Sequence, residues 1–276
     1  MNVNQTTVAD DAPADSVGGK EARTTRSGTD MVGKALSLLV LLGDEPRGAS
    51  AADISRRAEL PFSTTYRLLG SLTRDGFVDY EPDGRRYHLG LRIFQLGQRV
   101  SNHHGFAGTA TPVLRRVTEQ TAEATILSVR DGLHHLTVSK VDGPQTFRVT
   151  SDPGHLGSLS ATAVGKVLVA FAEDAEREQL IADLPLERLT EKSIVDRDAF
   201  RAELEEVRRR GYALMDEENE LGMRALAVPL LNAQGYAFAS LATAAPVFRL
   251  TVEGLEAHVP LLQEAAAELA ARLPQR

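Results

Sequence analysis

Between Ser63 and Arg67 the chain sets three short hydroxyls, on Ser63, Thr64 and Thr65, beside one guanidinium, on Arg67. On one helix such groups can reach base edges or phosphate oxygens of a nucleic acid. Two further guanidinium pairs lie close in sequence, Arg56-Arg57 before the run and Arg85-Arg86 after it. Arginine presents a rigid fork of donors that matches phosphate and the guanine edge. The chemistry suggested is recognition of a polyanion rather than bond breaking. Whether these groups share a surface depends on the elements that carry them.

Those elements can be read from periodicity. From a plausible N-cap at Asp30, the residues Val32, Leu36, Leu39, Val40 and Leu42 form the apolar stripe of a first helix ending at Gly43. After a polar turn over residues 44–48, Ser50 can cap a short second helix carrying Ala52, Ile54 and Ala58, with Arg56 and Arg57 toward solvent. Leu60-Pro61 breaks it. Residues 63–72 read as a third helix with Leu68, Leu69 and Leu72 toward a core and Ser63, Thr64 and Arg67 outward. Residues 77–80 and 86–89 flank the turn Pro82-Asp83-Gly84-Arg85 and read as a β-hairpin. Three helices and a hairpin make a winged helix-turn-helix. Its third helix would enter the major groove of double-stranded operator DNA, with Ser63, Thr64, Thr65 and Arg67 as the recognition face. Arg56, Arg57, Arg85 and Arg86 would sit on phosphates. The competing reading, a small helical domain for protein contacts with a solvated arginine face, has the hydroxyls on the exposed helix against it.

The 276 residues favour two domains of unequal length, and 42% hydrophobic content is enough for real cores. The chain has no cysteine, which excludes disulfides and thiolate metal sites and fits a reducing compartment. No apolar run approaches the roughly 20 residues that span a bilayer, and residues 1–29 lack a signal-peptide core, so a cytoplasmic protein with no membrane partner is expected. Residues 1–29, polar and small, are expected to be a disordered tail. The net charge of −7 is unevenly spread: residues 30–100 carry 10 basic and 9 acidic groups, residues 101–276 carry 18 and 25. The excess acid lies away from the candidate DNA-binding region, whose arginines can still make one basic face.

The run from Ala51 to Leu69, AADISRRAELPFSTTYRLL, followed by Leu72, Gly76-Phe77-Val78 and Tyr87-His88-Leu89-Gly90, resembles the IclR family of bacterial regulators. A second block is similar to that family's effector-domain signature: Ala161-Thr162-Ala163-Val164-Gly165-Lys166-Val167-Leu168, then Arg210-Gly211-Tyr212, Asp216-Glu217-Glu218, Leu221-Gly222-Met223-Arg224 and Ala227-Val228-Pro229. The resemblance implies an α+β architecture: tail 1–29, winged helix-turn-helix 30–90, linker helix 91–104, and a GAF-like α/β effector-binding domain 105–276. It also implies homodimers through the winged domain, often paired into tetramers. Segments 124–130, 133–141, 224–231 and 236–243 alternate as strands, and 112–121, 161–172, 197–210 and 252–273 read as helices.

By that resemblance the effector pocket is formed by Leu159, Ser160, Ala161, Thr162, Gly165, Met215, Met223, Ala225, Ala242 and Ala244. Ser160 to Thr162 would start a helix whose free amides could hold an acceptor; in the other reading Ser160 caps that helix and Gly165 permits close packing. Met215, Ala225, Ala242 and Ala244 are apolar where acid-binding members carry polar groups. The expected effector is therefore largely apolar or aromatic, and the expected function a repressor controlled by it. An alternative keeps DNA binding with a vestigial pocket and no effector. An enzyme is disfavoured: no nucleophile elbow occurs, and the paired and isolated histidines give no metal-ligand spacing. Residues 160–167 imitate a phosphate loop, but Ser160 replaces its first glycine and Val167 its magnesium-binding hydroxyl. No cofactor and no metal is expected. The acidic run at 216–218 reads as a solvated strand end.

Overall fold

The structure, a computed structural model, describes residues 31–146 and 151–274. The expected tail, 1–29, and the Asp30 cap lie outside the described residues. The chain forms two compact units that meet between Ile93 and Phe94.

In the first unit α1 (Met31–Gly43), α2 (Ala51–Arg57) and α3 (Phe62–Arg74) precede a hairpin of β1 (Val78–Glu81) and β2 (Arg86–Leu89). Ser50 caps α2 by accepting from the Asp53 amide at 3.2 Å. Between α2 and α3 the backbone turns through Glu59 at φ 51°, and the Ser55 hydroxyl donates to the Leu60 carbonyl at 2.7 Å, which fixes the angle of the turn. The core joins Leu38, Leu42, Ile54, Leu68, Leu69, Val78 and Tyr87. The α1 stripe read from the sequence needs correction: Leu38 and Leu42 are its buried residues, whereas Val32, Leu36 and Val40 are 66%, 56% and 71% exposed. Nearly every α1 position from 35 to 42 is apolar, so periodicity alone could not select the inward face. Ala49 pairs with Tyr87 in a bridge that ties the hairpin back to the helices.

The second unit begins at Phe94, within α4 (Leu91–His103), and continues through a π-helical turn over Phe106–Ala110. Its six-stranded antiparallel sheet has the order β5-β4-β3-β8-β7-β6. The strands are β3 (Ala124–Asp131), β4 (His134–Val141), β5 (Leu156–Ser158), β6 (Ala213–Asp216), β7 (Met223–Leu231) and β8 (Ala237–Pro246). One face packs Leu127, Leu226, Val228 and Leu241 against α5 (Thr111–Thr121) and α10 (Val259–Arg272). The other packs Met215, Ala227 and Ala242 under α6 (Ala163–Ala170), with α7 (Asp174–Asp183) and α8 (Arg197–Arg210) outside it. The α+β class and the winged helix-turn-helix expected from the sequence are thus present.

Two helix readings change. The helix expected over 161–172 starts at Ala163, and Thr162 is its cap, accepting from the Gly165 amide at 3.0 Å. The helix expected over 252–273 is interrupted between α9 (Val252–Glu256) and α10, where Pro260 in the first turn has no N–H to continue a helix from upstream. Sequence periodicity missed α7 because it buries only Leu180 and Ile181 on an otherwise polar helix. No helix among the described residues is long and apolar enough to cross a membrane.

Gly165 sets how closely α6 approaches the strand that leads into it. A Cβ there would lie 2.3 Å from the Leu159 Cα and 2.4 Å from its carbonyl oxygen, and neither obstacle is a movable side chain. Gly165→Ala should therefore cost about 3 kcal/mol, the upper part of the range for overpacked cores, read as a lower urea midpoint at unchanged m.

Candidate functional site

In the first unit, α3 exposes Phe62, Ser63, Tyr66 and Arg67 and half-buries Thr64. Thr65 does not join them. It is fully buried and its hydroxyl has no partner, because the helical period puts residue 65 on the same side as Leu68, Leu69 and Leu72. Its place in the expected recognition face is thereby corrected, and Tyr66 takes the outward position instead. Phe62 and Tyr66 stack one turn apart with ring centroids 6.1 Å apart. The Arg67 guanidinium lies 3.8 Å from the Met31 sulfur.

The arginines expected to meet phosphate are held differently from one another. Arg56 pairs with Asp53 at 2.6 Å and Arg57 with Glu45, both on exposed surface. Such pairs hold weakly in water and exchange readily for a phosphate. Arg85 is exposed at the hairpin turn with φ 49°. Arg86 donates to the Gly48 carbonyl at 2.8 Å, so part of its donor fork secures the turn before α2.

In the second unit the positions expected to hold an effector gather beneath the start of α6. Leu159, Met215, Met223 and Ala242 belong to one core, and strand register places Met215, Ala225 and Ala244 side by side. The helix-start amides expected to be free are in use. The Ser158 hydroxyl accepts from the Ser160 and Ala161 amides at 3.2 Å each, and Ser160 donates to the Pro185 carbonyl at 3.0 Å instead of capping. A pocket of about 750 Å³ lies on the opposite face of the sheet, bounded by Val100, Phe106, Val129, Val138, Phe238 and Leu273 among others. None of the expected effector residues lines it.

The polar groups on the α6 side come from β3 and β4, which sequence reading passed over. Leu127 and Leu241 point toward α5 and α10, so Ser128 and Ser240, paired across β3 and β8, point the other way. Thr137 pairs with Ser128 from β4, and His135 stands two residues before it on the same side. Ser128, Thr137 and His135 are buried, and among the described residues neither hydroxyl nor either ring nitrogen has a hydrogen-bond partner. The ring lies on Gly157, where a Cβ would come within 2.2 Å of Nε2. Burial first, then the neighbouring His155 and His134, lowers the His135 imidazole to about 4. The strand alternation of His135 and Thr137 was the available signal; past a β-bulge Ser139 pairs with Leu127 on the other side.

Of the acidic run at 216–218, expected as a solvated edge, Glu218 is instead drawn into the protein, while Asp216 and Glu217 stay at the surface. Lys166, 1% exposed, donates to Glu218 at 2.6 Å, to Glu203 at 3.4 Å and to the Leu214 carbonyl at 3.2 Å. Asp216 and Glu217 both hold Lys192, at 2.9 and 2.6 Å. The lysine of the apparent phosphate loop is therefore engaged inside the protein. Among the described residues no cluster of three or more potential metal ligands forms.

Two family descriptions match the chain: "IclR helix-turn-helix domain" over residues 31–82 and "Bacterial transcriptional regulator IclR C-terminal" over 98–271. The chain belongs to the IclR family. The IclR-family regulator KdgR of Escherichia coli is 31% identical over 240 residues, covering 87% of this chain and 91% of that protein. An IclR-type regulator from Alicyclobacillus acidocaldarius has a similar fold, with TM-score 0.79 and 27% identity over 89% of this chain and 99% of its own. An IclR homologue from Microbacterium hydrocarbonoxydans, crystallised with 4-hydroxybenzoate, matches with TM-score 0.75 and 25% identity over 88% of this chain and 98% of its own. Membership in the IclR family makes this chain a DNA-binding transcription regulator.

The buried histidine leads to a pH prediction. His135 has a folded pKa of about 4 against an ordinary 6.5, so the unfolded chain takes up its proton first as pH falls. Stability contributed at this position is complete above pH 6.5 and should decline by up to about 3 kcal/mol on the way to pH 4. His135→Gln should flatten that part of the profile in urea unfolding, and the ring resonances of the wild type should not titrate between pH 8 and 5.

Proposed function

We propose that this protein is a cytoplasmic repressor that binds a pseudo-palindromic operator through two copies of its winged domain. The outward face of α3 carries this reading, because it presents Ser63, Tyr66 and Arg67 together, with Thr64 half-exposed beside them. Arg67 reads base edges, and Arg56, Arg57, Arg85 and Arg86 sit against phosphates. Repression then follows wherever the operator overlaps a promoter.

Two copies require a surface between them. The exposed Val32, Leu36 and Val40 recur once per turn along α1, an apolar stripe that suits a second copy of the same helix. Pairing through this stripe supports a homodimer, and a tetramer would be a pair of such dimers.

The second unit, under this proposal, binds a small and largely apolar or aromatic effector. The candidate residues are Leu159, Ser160, Ala161, Thr162, Gly165, Met215, Met223, Ala225, Ala242 and Ala244. Support comes from the alanine-lined sheet face and from the ligand carried by the Microbacterium relative. The alternative of a vestigial pocket draws on a different observation: Leu159, Met215, Met223 and Ala242 are packed into the core of this unit.

Binding of the purified protein to DNA upstream of its own gene, at two salt concentrations against nonspecific competitor, tests the first part. Arg67→Ala should weaken specific binding by about 1–3 kcal/mol, roughly 5- to 150-fold, while nonspecific binding stays unchanged. Thr65→Val should leave operator affinity within about twofold, since a buried side chain touches no DNA; a large loss there would return Thr65 to the recognition face. A thermal-shift screen of metabolites against the full chain tests the second part, and a screen without hits favours the vestigial pocket.

A further inference from the structure

The α6-facing side of the sheet changes character along its strands. At one end Thr137, Ser128 and Ser240 form a row across β4, β3 and β8, with His135 adjoining. Ser240 alone of these spends its hydroxyl, on the Val228 carbonyl at 3.4 Å. The next row on the same side is Ile126, Ala242 and Ala227, and the one after it Ala124, Ala244 and Ala225. Each step is two residues, about 7 Å, close to the length of a six-membered ring with one substituent.

Ser128, Thr137 and His135 are 0%, 1% and 4% exposed, yet four of their polar atoms find no partner. Buried polar groups are rarely left unpaired, because the lost hydration is not returned. Three on adjacent positions of one sheet face are better explained by an occupant than by chance. We propose that they form the polar end of a ligand subsite that takes an uncharged hydroxyl borne on an aromatic or alicyclic body. The proposal rests on the reading of the second unit as an effector domain and specifies its ligand.

The choice of a hydroxyl follows from the donors and acceptors present. A neutral imidazole offers one N–H and one acceptor nitrogen, and each side-chain hydroxyl can do either. A group that both donates and accepts satisfies such a set. A carboxylate only accepts, and it brings a charge that needs a cation. The buried lysines of this unit are committed: Lys166 to Glu203 and Glu218, Lys140 to Asp142 and Asp152. The alanine rows beyond give the body of the ligand an apolar surface, consistent with the absence of polar side chains at 225, 242 and 244.

Calorimetric titration of the full-length protein with phenol, toluene and benzoate tests this. Phenol should bind at least tenfold more tightly than the other two. In the double variant Ser128→Ala, Thr137→Val, phenol affinity should fall about tenfold while toluene affinity holds. The melting temperature of the free variant should be equal to or above that of the wild type, since no hydrogen bond is lost; this also shows that the variant folds. A ¹⁵N spectrum of the wild type should show the His135 ring shifting on addition of phenol. Equal binding of phenol and toluene, tightest binding of benzoate, or an unchanged phenol affinity in the double variant would overturn the proposal, leaving water as the occupant of the cluster. Absence of binding by all three probes overturns it too; the metabolite screen then separates the cases, since hits there keep the effector reading and no hits remove it as well.

Discussion

A fully buried ammonium is tolerated only where charge and lone pairs meet it, and Lys166 meets that requirement by drawing three separate parts of the second unit together. Its Nζ reaches Glu203 on α8, Glu218 in the loop after β6, and the Leu214 carbonyl within β6. Arg210 completes the group by donating to Glu203 at 3.1 Å. Burial raises Glu218 above the usual carboxylate range while Lys166 opposes the shift. Removing either partner would strand a charge in the interior. The position of α6 over the sheet, and so the geometry of the candidate effector face, is fixed by this ion group on one side and by the Gly165–Leu159 contact on the other.

In the first unit a comparable part is played by polar groups around the helix-turn-helix. Ser50, Ser55 and Arg86 each secure backbone: the start of α2, the turn into α3, and the loop at Gly48. The helix α3 is then presented by a small apolar core, with Ser63, Tyr66 and Arg67 on its outer face. The arginines divide accordingly. Arg86 is partly structural, Arg56 and Arg57 are screened by nearby carboxylates, and Arg67 stands on the outer face of α3 with its guanidinium 3.8 Å from the Met31 sulfur.

The candidate sites were legible to different degrees for physical reasons. The α3 part of the candidate DNA-binding face is local: Ser63 to Arg67 lie within little more than one turn of one helix, so a 3.6-residue period locates most of it. That same period, applied strictly, removes Thr65, which the run of hydroxyls had drawn in. The candidate effector face draws on β3, β4, β6, β7, β8 and the start of α6, and no local pattern reports which side of a fully buried strand faces which helix. Ser128 and Thr137 therefore passed unnoticed, and the amides at Ser160 and Ala161, free by position in the chain, are taken up by the Ser158 hydroxyl in space.

By itself the sequence determined the winged helix-turn-helix, because it follows from periodicity, capping and turn residues within short windows, and its two motif blocks carried the family and with it the α+β class; α7, β5 and β6 went unread. Only the tertiary structure decided which side of α1 is buried, which groups pair with the acidic run at 216–218, and which polar atoms remain unpaired beneath α6. Those outcomes depend on contacts between residues far apart in the chain. Burial and charge pairing are settled by what each side chain meets after folding, not by what precedes and follows it.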